Sequence, residues 1–510
     1  MIIKNPVIKA DMPDVDVLRV GDTFYMVSTT MFFMPGAVLL RSKDLCNWEI
    51  ATYIFDKIAD NDIYELKNGK NAYGVGQWAT SLAFHNGRYY ACFVCHDMKK
   101  TYIYHTDDIE KRYWDHYEID EVFHDMSFLF WEGKSYLVYG TGTIRIVELK
   151  DDLSGVKEGG LRQILFQTPT ENIGLPCEGC RAYVRNGYIY LLFIEWPREG
   201  EGNGRRREIC YRSKELTGEY ERRIIMDDTC GYLNAGVAQG SLVEAADGNW
   251  YSVLFQDHGS VGRIPYTLPV VWENDWPVVG IDGKAPAQFE APFEEYKAEP
   301  IIISHSFNSD KNVIPDQFQW NHNPIEDAWS FTERPGYLRL KMAQLADGIM
   351  TARNTLTERT STPECNFTVE MDLTGMKNGD YSGLCAFMGF YGTVGVKKEN
   401  DEYFVTVCKK GEDKKQYEET CIKASDIEGF NPQSFHLMIN FDFNIGEDIA
   451  TFYYSADGVE FDEIGEELQM LYTLDVFVGY RIGVFSYPTK ELGGYTDFRN
   501  LSYAADDGEE

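Results

Sequence analysis

The chain is expected to be all-β, a five-bladed β-propeller followed by a β-sandwich. Three observations lead there. Short segments that alternate apolar with polar residues and end in glycine-bearing turns run the whole length, helical periodicity is scarce, and 14% of the residues are aromatic. A hairpin pattern recurs five times in the first half of the chain and nowhere in the second. Between the halves lies a stretch rich in proline and glutamate with no period of its own.

The five hairpins are segments 14–25, 80–90, 125–136, 178–190 and 239–251, opening on Asp14, Thr80, Asp125, Glu178 and Gln239. In each, a polar residue precedes an apolar strand, a glycine turn follows, and a tyrosine closes the unit. These tyrosines, Tyr25, Tyr90, Tyr136, Tyr190 and Tyr251, recur 46 to 65 residues apart, a spacing that suits four-stranded blades. The innermost strand of every blade lines the axis, so residues at its start converge at one mouth of the channel. Any single aspartate there is ordinarily a turn residue. Three acids in equivalent places of one repeat are better explained as a site.

The propeller is expected over residues 1–285, a linker over 286–300, and the sandwich over 301–510. Residues 337–341, 367–372, 403–408 and 435–440 suit sandwich strands. The last seven residues, 504–510, form an acidic tail expected to fray.

With 510 residues the chain is long enough for two ordinary cores. Its 81 acidic against 48 basic residues give a formal charge of −33, which argues against nucleic acid and against anionic membrane surfaces as partners. Residues 1–15 lack the apolar run of a secretory signal, and no run reaches the roughly 18 apolar residues of a membrane-spanning helix, so a cytoplasmic location is expected. Eleven cysteines spread among strands read as reduced, buried residues. Cys92/Cys95 and Cys177/Cys180 have the spacing of a metal or redox pair, but residues three apart on a strand such as 89–95 face opposite ways.

Three carboxylates suit glycosidic hydrolysis. That reaction needs a protonated acid for the departing oxygen and an ionised carboxylate to attack or to activate water. A third carboxylate nearby helps to push the two apart in pKa. Glu178, long and flanked by Leu175, Pro176 and Cys177, is the candidate acid; Asp14 is the candidate base and Asp125 the modulator.

At these residues the chain resembles glycoside hydrolase family 43. The resemblance is carried by Asn5 and Pro6 leading to Pro13 and Asp14, by Arg19 to Asp22, by Ser42 to Trp48, by His124 to Ser127, and by Glu178 and Gly179. Residues 255–265 with Trp272, Trp276 and Pro277, and residues 319–324, 332–340 and 352–356 in the second half, are similar to one branch with an accessory sandwich. The resemblance implies an inverting mechanism and β-D-xylosidase or α-L-arabinofuranosidase activity on xylo- or arabinoxylo-oligosaccharides. It also implies Phe33 as a pocket wall, Trp78 as a platform for the sugar, and Gln239 and Arg263 as binding residues, a guanidinium fork being suited to sugar hydroxyls. His258 is implied as a ligand of a cation on the axis, commonly calcium in this family; a satisfied core histidine is the alternative. Two departures bear on the choice of sugar: Phe32 replaces a polar residue of relatives, and Ala238 replaces a histidine.

A non-catalytic glycan-binding propeller is the alternative of a different class. A phosphorolytic enzyme would need a basic pocket, for which the run Arg205, Arg206 and Arg207 in a glycine-rich loop offers the only dense candidate. The sandwich serves either as a carbohydrate-binding module or as a brace that closes one side of the pocket, and the brace is the expectation. Oligomeric state, exo or endo action and the preferred sugar are not legible.

Overall fold

The computed structural model describes residues 1–199, 202–411 and 416–506. Five antiparallel sheets occupy residues 16–279; in each, four strands follow one another outward in chain order, and the fourth sheet adds the two-residue strand Gly202–Asn203 beside its second. The innermost strands are Asp16–Val20, Ser81–His85, Ser127–Trp131, Ile173–Arg185 and Ala238–Glu244. Each neighbours the next, and the fifth neighbours the first, which closes a five-bladed ring. Among the described residues no blade borrows a strand from another. The ring is instead clasped from outside, where Ile2–Lys4 pairs antiparallel with Gln288–Glu290.

A circle of side-chain hydrogen bonds fixes the register between blades. The amides of Leu82, Phe128 and Ala182 donate to Asp16 Oδ2, Ser81 Oγ and Ser127 Oγ of the preceding blades, and Val17 N–H closes the circle on Ser241 Oγ. Residues 16, 81, 127, 181 and 241 are therefore equivalent. Two positions ahead of them stand Asp14, Ala79, Asp125, Gly179 and Gln239, and four of these five have left-handed φ angles between 49° and 69°. Glu178 falls one residue ahead of that ring, level with Trp78 and His124. The shift arises because its strand is bulged on both sides of Glu178, so spacing along the sequence does not preserve the slot.

Within the stretch expected as a linker, residues 288–290 form the clasp strand. Tyr296 and Glu299 then dock on blade one: Tyr296 N–H donates to Asp44 and Tyr296 Oη and Glu299 N–H donate to Glu49. Beyond it two antiparallel sheets pack face to face, and the four segments expected as strands fall in Leu338–Lys341, Glu364–Asp372, Glu402–Lys410 and Phe435–Asp442. One sandwich sheet ends on a strand of the propeller. Phe33–Met34, from an insertion in blade one, pairs with Gln319–Asn321. Of the acidic tail, residues 507–510 lie outside the described residues, and Tyr495–Asp506 is a strand that includes its first three.

Candidate active site

Asp14 is buried at the mouth of the ring, only 7% exposed. Its Oδ1 receives Arg263 Nη1 at 2.7 Å and Gln239 Nε2 at 3.1 Å, and its Oδ2 receives Thr29 Oγ1 at 2.8 Å. Three donors on one carboxylate fix its orientation. Arg263 is held in turn, its amide donating to Asp11 Oδ1, while its Nε and Nη2 are buried without a partner in the protein. Donors left so are suited to a ligand hydroxyl.

Glu178 and Asp125 share a cluster with His124, whose ligand-type atoms all lie within 4.8 Å of one another. Glu178, with 22% of its side chain exposed, accepts from Thr141 Oγ1 at 3.1 Å and lies 3.5 Å from His124 Nε2. Asp125 is 4% exposed and its Oδ2 receives the amide of Gly179 at 2.9 Å, so it holds the backbone that carries Glu178. Burial pushes the Asp125 carboxyl up to about 6, opposed by His124 and reinforced by Glu178 and Asp14. Burial alone would lower His124; the hydrogen bond to Glu178 and the charges of Asp125, Glu178 and Asp14 outweigh it and push the imidazole up to about 9.

The sequence-derived binding residues divide. Arg263 and Gln239 meet at Asp14, where Gln239 orients the carboxylate; its own amide donates to the buried Glu208 at 2.6 Å. Trp78 sits edge-on to His96 at 4.8 Å and 5.8 Å from His124, at the side of the cluster. Phe33 is not a pocket wall: it is 0% exposed, 3.7 Å beneath the Arg481 guanidinium, because its two-residue strand has joined the sandwich sheet. Phe32 is likewise enclosed, stacked on His322 at 5.0 Å and packed on Tyr73, so it does not form a rim. Ala238 is fully buried.

His258 stands apart from the acidic cluster. Its Nε2 already meets Gln256 Oε1 at 2.8 Å and Tyr266 Oη at 3.2 Å, its ring stacks on Tyr232 at 3.8 Å, and burial lowers it to about 4. The axis itself is filled by Arg181, which donates to the carbonyls of Asp14, Val15, Thr80 and Cys180, with Asp16 Oδ1 3.4 Å from Nε. Calcium needs several oxygen ligands, and here a guanidinium takes the carbonyl oxygens that face the axis. These residues do not fit a central calcium ligated by His258.

Three features escaped sequence reading. Phe477, from a sandwich loop, reaches the site, 5.6 Å from Trp78 and 4.7 Å from the Arg263 guanidinium, and Tyr472 of that loop lies beside it. Thr141 bonds Glu178 from blade three. Arg181 had a visible signal, a charge beside Cys180 in the inner strand that also carries Glu178. The remaining candidates settle as structural. Arg205, Arg206 and Arg207 are paired with Asp227, Asp257 and Glu195 and form no phosphate pocket. The four cysteines of the two pairs are buried free thiols, and Cys92 and Cys95 fall in different core clusters.

Comparison with known proteins agrees with this geometry. The sequence model of glycosyl hydrolases family 43 matches residues 3–277, and that of a β-xylosidase C-terminal concanavalin A-like domain matches residues 304–504. A solved bifunctional GH43-CE protein of Bacteroides eggerthii is 40% identical, with a TM-score of 0.92 over 99% of this chain; the chain spans 64% of that longer protein. A β-xylosidase of Formosa agariphila is 28% identical across 98% of this chain and 90% of its own length. A xylosidase/arabinosidase of Butyrivibrio fibrisolvens is 25% identical across 100% and 96%. The match over most of the propeller, joined to a solved relative at 40% identity, places the chain in glycosyl hydrolases family 43, and it is a glycoside hydrolase.

Proposed function

We propose that this hydrolase releases xylose, arabinose or both from xylan-derived oligosaccharides with inversion at the anomeric carbon. The observation that carries the reading is the unlike setting of two carboxylates. Asp14 is buried and held by three donors, Arg263 among them, whereas Glu178 is partly exposed beside Thr141 and His124. Two acids in unlike environments take unlike roles.

Asp14 takes a proton from water as the water oxygen bonds to the anomeric carbon. Glu178 gives its proton to the glycosidic oxygen as the old carbon–oxygen bond breaks, and exchange with solvent resets both. Asp125 orients Glu178 through the Gly179 amide, Arg263 offers two spare donors to the sugar, and Trp78 and Phe477 wall the pocket. The choice between xylose and arabinose draws on what similar proteins are called. The sandwich acts as a brace: Phe477 supports this, and Trp320 and Trp329 are buried and offer no exposed platform.

The test is release of p-nitrophenol from the β-D-xylopyranoside and the α-L-arabinofuranoside. Glu178→Ala and Asp14→Ala, each folded by circular dichroism, should lower kcat/KM by about 10² to 10⁴. Proton NMR of the first-formed sugar should show the inverted anomer. Activity that survives both substitutions would refute the assignment.

A further inference from the structure

His124 of the acidic cluster lines a groove of about 570 Å³, together with Glu121, Tyr139, Thr141, Arg145 and Arg162 among others. Two of its lining residues, His124 and Thr141, are the pair that flank Glu178 Oε2, at 3.5 and 3.1 Å. A leaving group that takes its proton from Glu178 therefore has this groove beside it.

The charges in the groove are unlike those of the molecule around it. The chain carries −33 overall, and the arginines of its one dense basic run are all paired with carboxylates. Arg145 is not. It stands half-buried on the groove wall, Nη1 donating to Thr143 O at 3.0 Å, and among the described residues it has no carboxylate partner. Arg162 and Glu121 neutralise each other across the groove, and His124 adds a second cation beside the acid. A guanidinium left open in so acidic a protein is matched to a planar anion that it can grip with two parallel hydrogen bonds.

We propose that this groove is a leaving-group subsite for a sugar that bears a carboxylate, a uronic acid, received by Arg145. The inference rests on the glycosidase reading above and adds the chemical class of the departing sugar. Arg145 is a specificity residue here, with no part in bond cleavage.

The test compares kcat/KM for xylobiose with that for xylobiose whose reducing-end xylose carries a glucuronic acid branch. Wild type should favour the acidic substrate by about tenfold at low ionic strength, as a charge-assisted bidentate contact allows. The ratio should fall toward one in Arg145→Gln, be partly kept in Arg145→Lys, and shrink in roughly 0.5 M sodium chloride as screening sets in. Hydrolysis of both sugars by wild type without preference, or a preference that Arg145→Gln retains, would overturn the subsite and leave the glycosidase reading intact. Failure to cleave either oligosaccharide or either aryl glycoside would overturn both.

Discussion

His124 is the residue at which the charges of the site meet, and its titration is a stability signal. Its folded pKa, about 9, lies above the ordinary 6.5, so the stabilisation it gives is complete below about pH 6.5 and disappears as pH rises through 9. His124→Gln should therefore melt below wild type at pH 6, with a gap that closes by about pH 10. Asp125 also loses stability as pH rises, here as a cost of becoming charged. Its carboxyl is raised from 3.8 to about 6, so ionising it costs the native state progressively as pH rises through that window. Asp125→Asn should gain melting temperature relative to wild type between pH 4 and 6 while losing hydrolytic activity, and a flat difference across that range would contradict the burial argument. Gly179 offers a third check. Its φ is +69°, and a Cβ there would stand 2.8 Å from the Gln239 side chain, so Gly179→Ala should push Gln239 off Asp14 and lower kcat by about tenfold or more, measured on either aryl glycoside.

Among the elements, the sandwich loop with Tyr472 and Phe477 matters most to the pocket. Phe477→Ala removes a ring from the Arg263 guanidinium and from Trp78, and should raise KM for the aryl glycoside roughly three- to tenfold with a smaller change in kcat, as contacts worth about 0.5–1.5 kcal/mol imply. An unchanged KM would remove Phe477 from the pocket. At this scale the sequence was informative where local pattern decides. Asp14 and Asp125 were legible because their strands repeat without interruption, each acid two residues ahead of a residue in the inter-blade circle. Glu178 was found by its neighbours, and its offset by one residue was hidden by the bulges around it. Phe33 was misplaced for the opposite reason. Its setting is made by Arg481 and Asn321, partners nearly 300 and more residues away, and no local pattern announces a contact of that range. Phe477 was invisible on the same ground.

For the molecule as a whole, the two halves are joined by more than the segment between them. A propeller strand completes a sandwich sheet, Asp11 accepts from the amides of Arg263 and Gly479 at once, and Arg359 Nε donates to the Asp11 carbonyl. Calorimetry should show one transition for the intact chain, and two well-separated transitions would show that the interface contributes little to either half. The fold class was legible because hairpin spacing and the change of texture past residue 285 are properties of the chain itself; the docking of one half on the other depends on surfaces that exist only after each has folded.

The clasp sets an order of assembly as the chain leaves the ribosome. Strand Ile2–Lys4 is made long before its partner and must wait for Gln288–Glu290 before the clasp can form. Asp14 likewise waits 249 residues for Arg263, and Phe477 arrives later still. Asp14 thus precedes by hundreds of residues the Arg263 and Phe477 that complete its surroundings, so a chain released between residues 290 and 477 would hold every blade and an unfinished pocket.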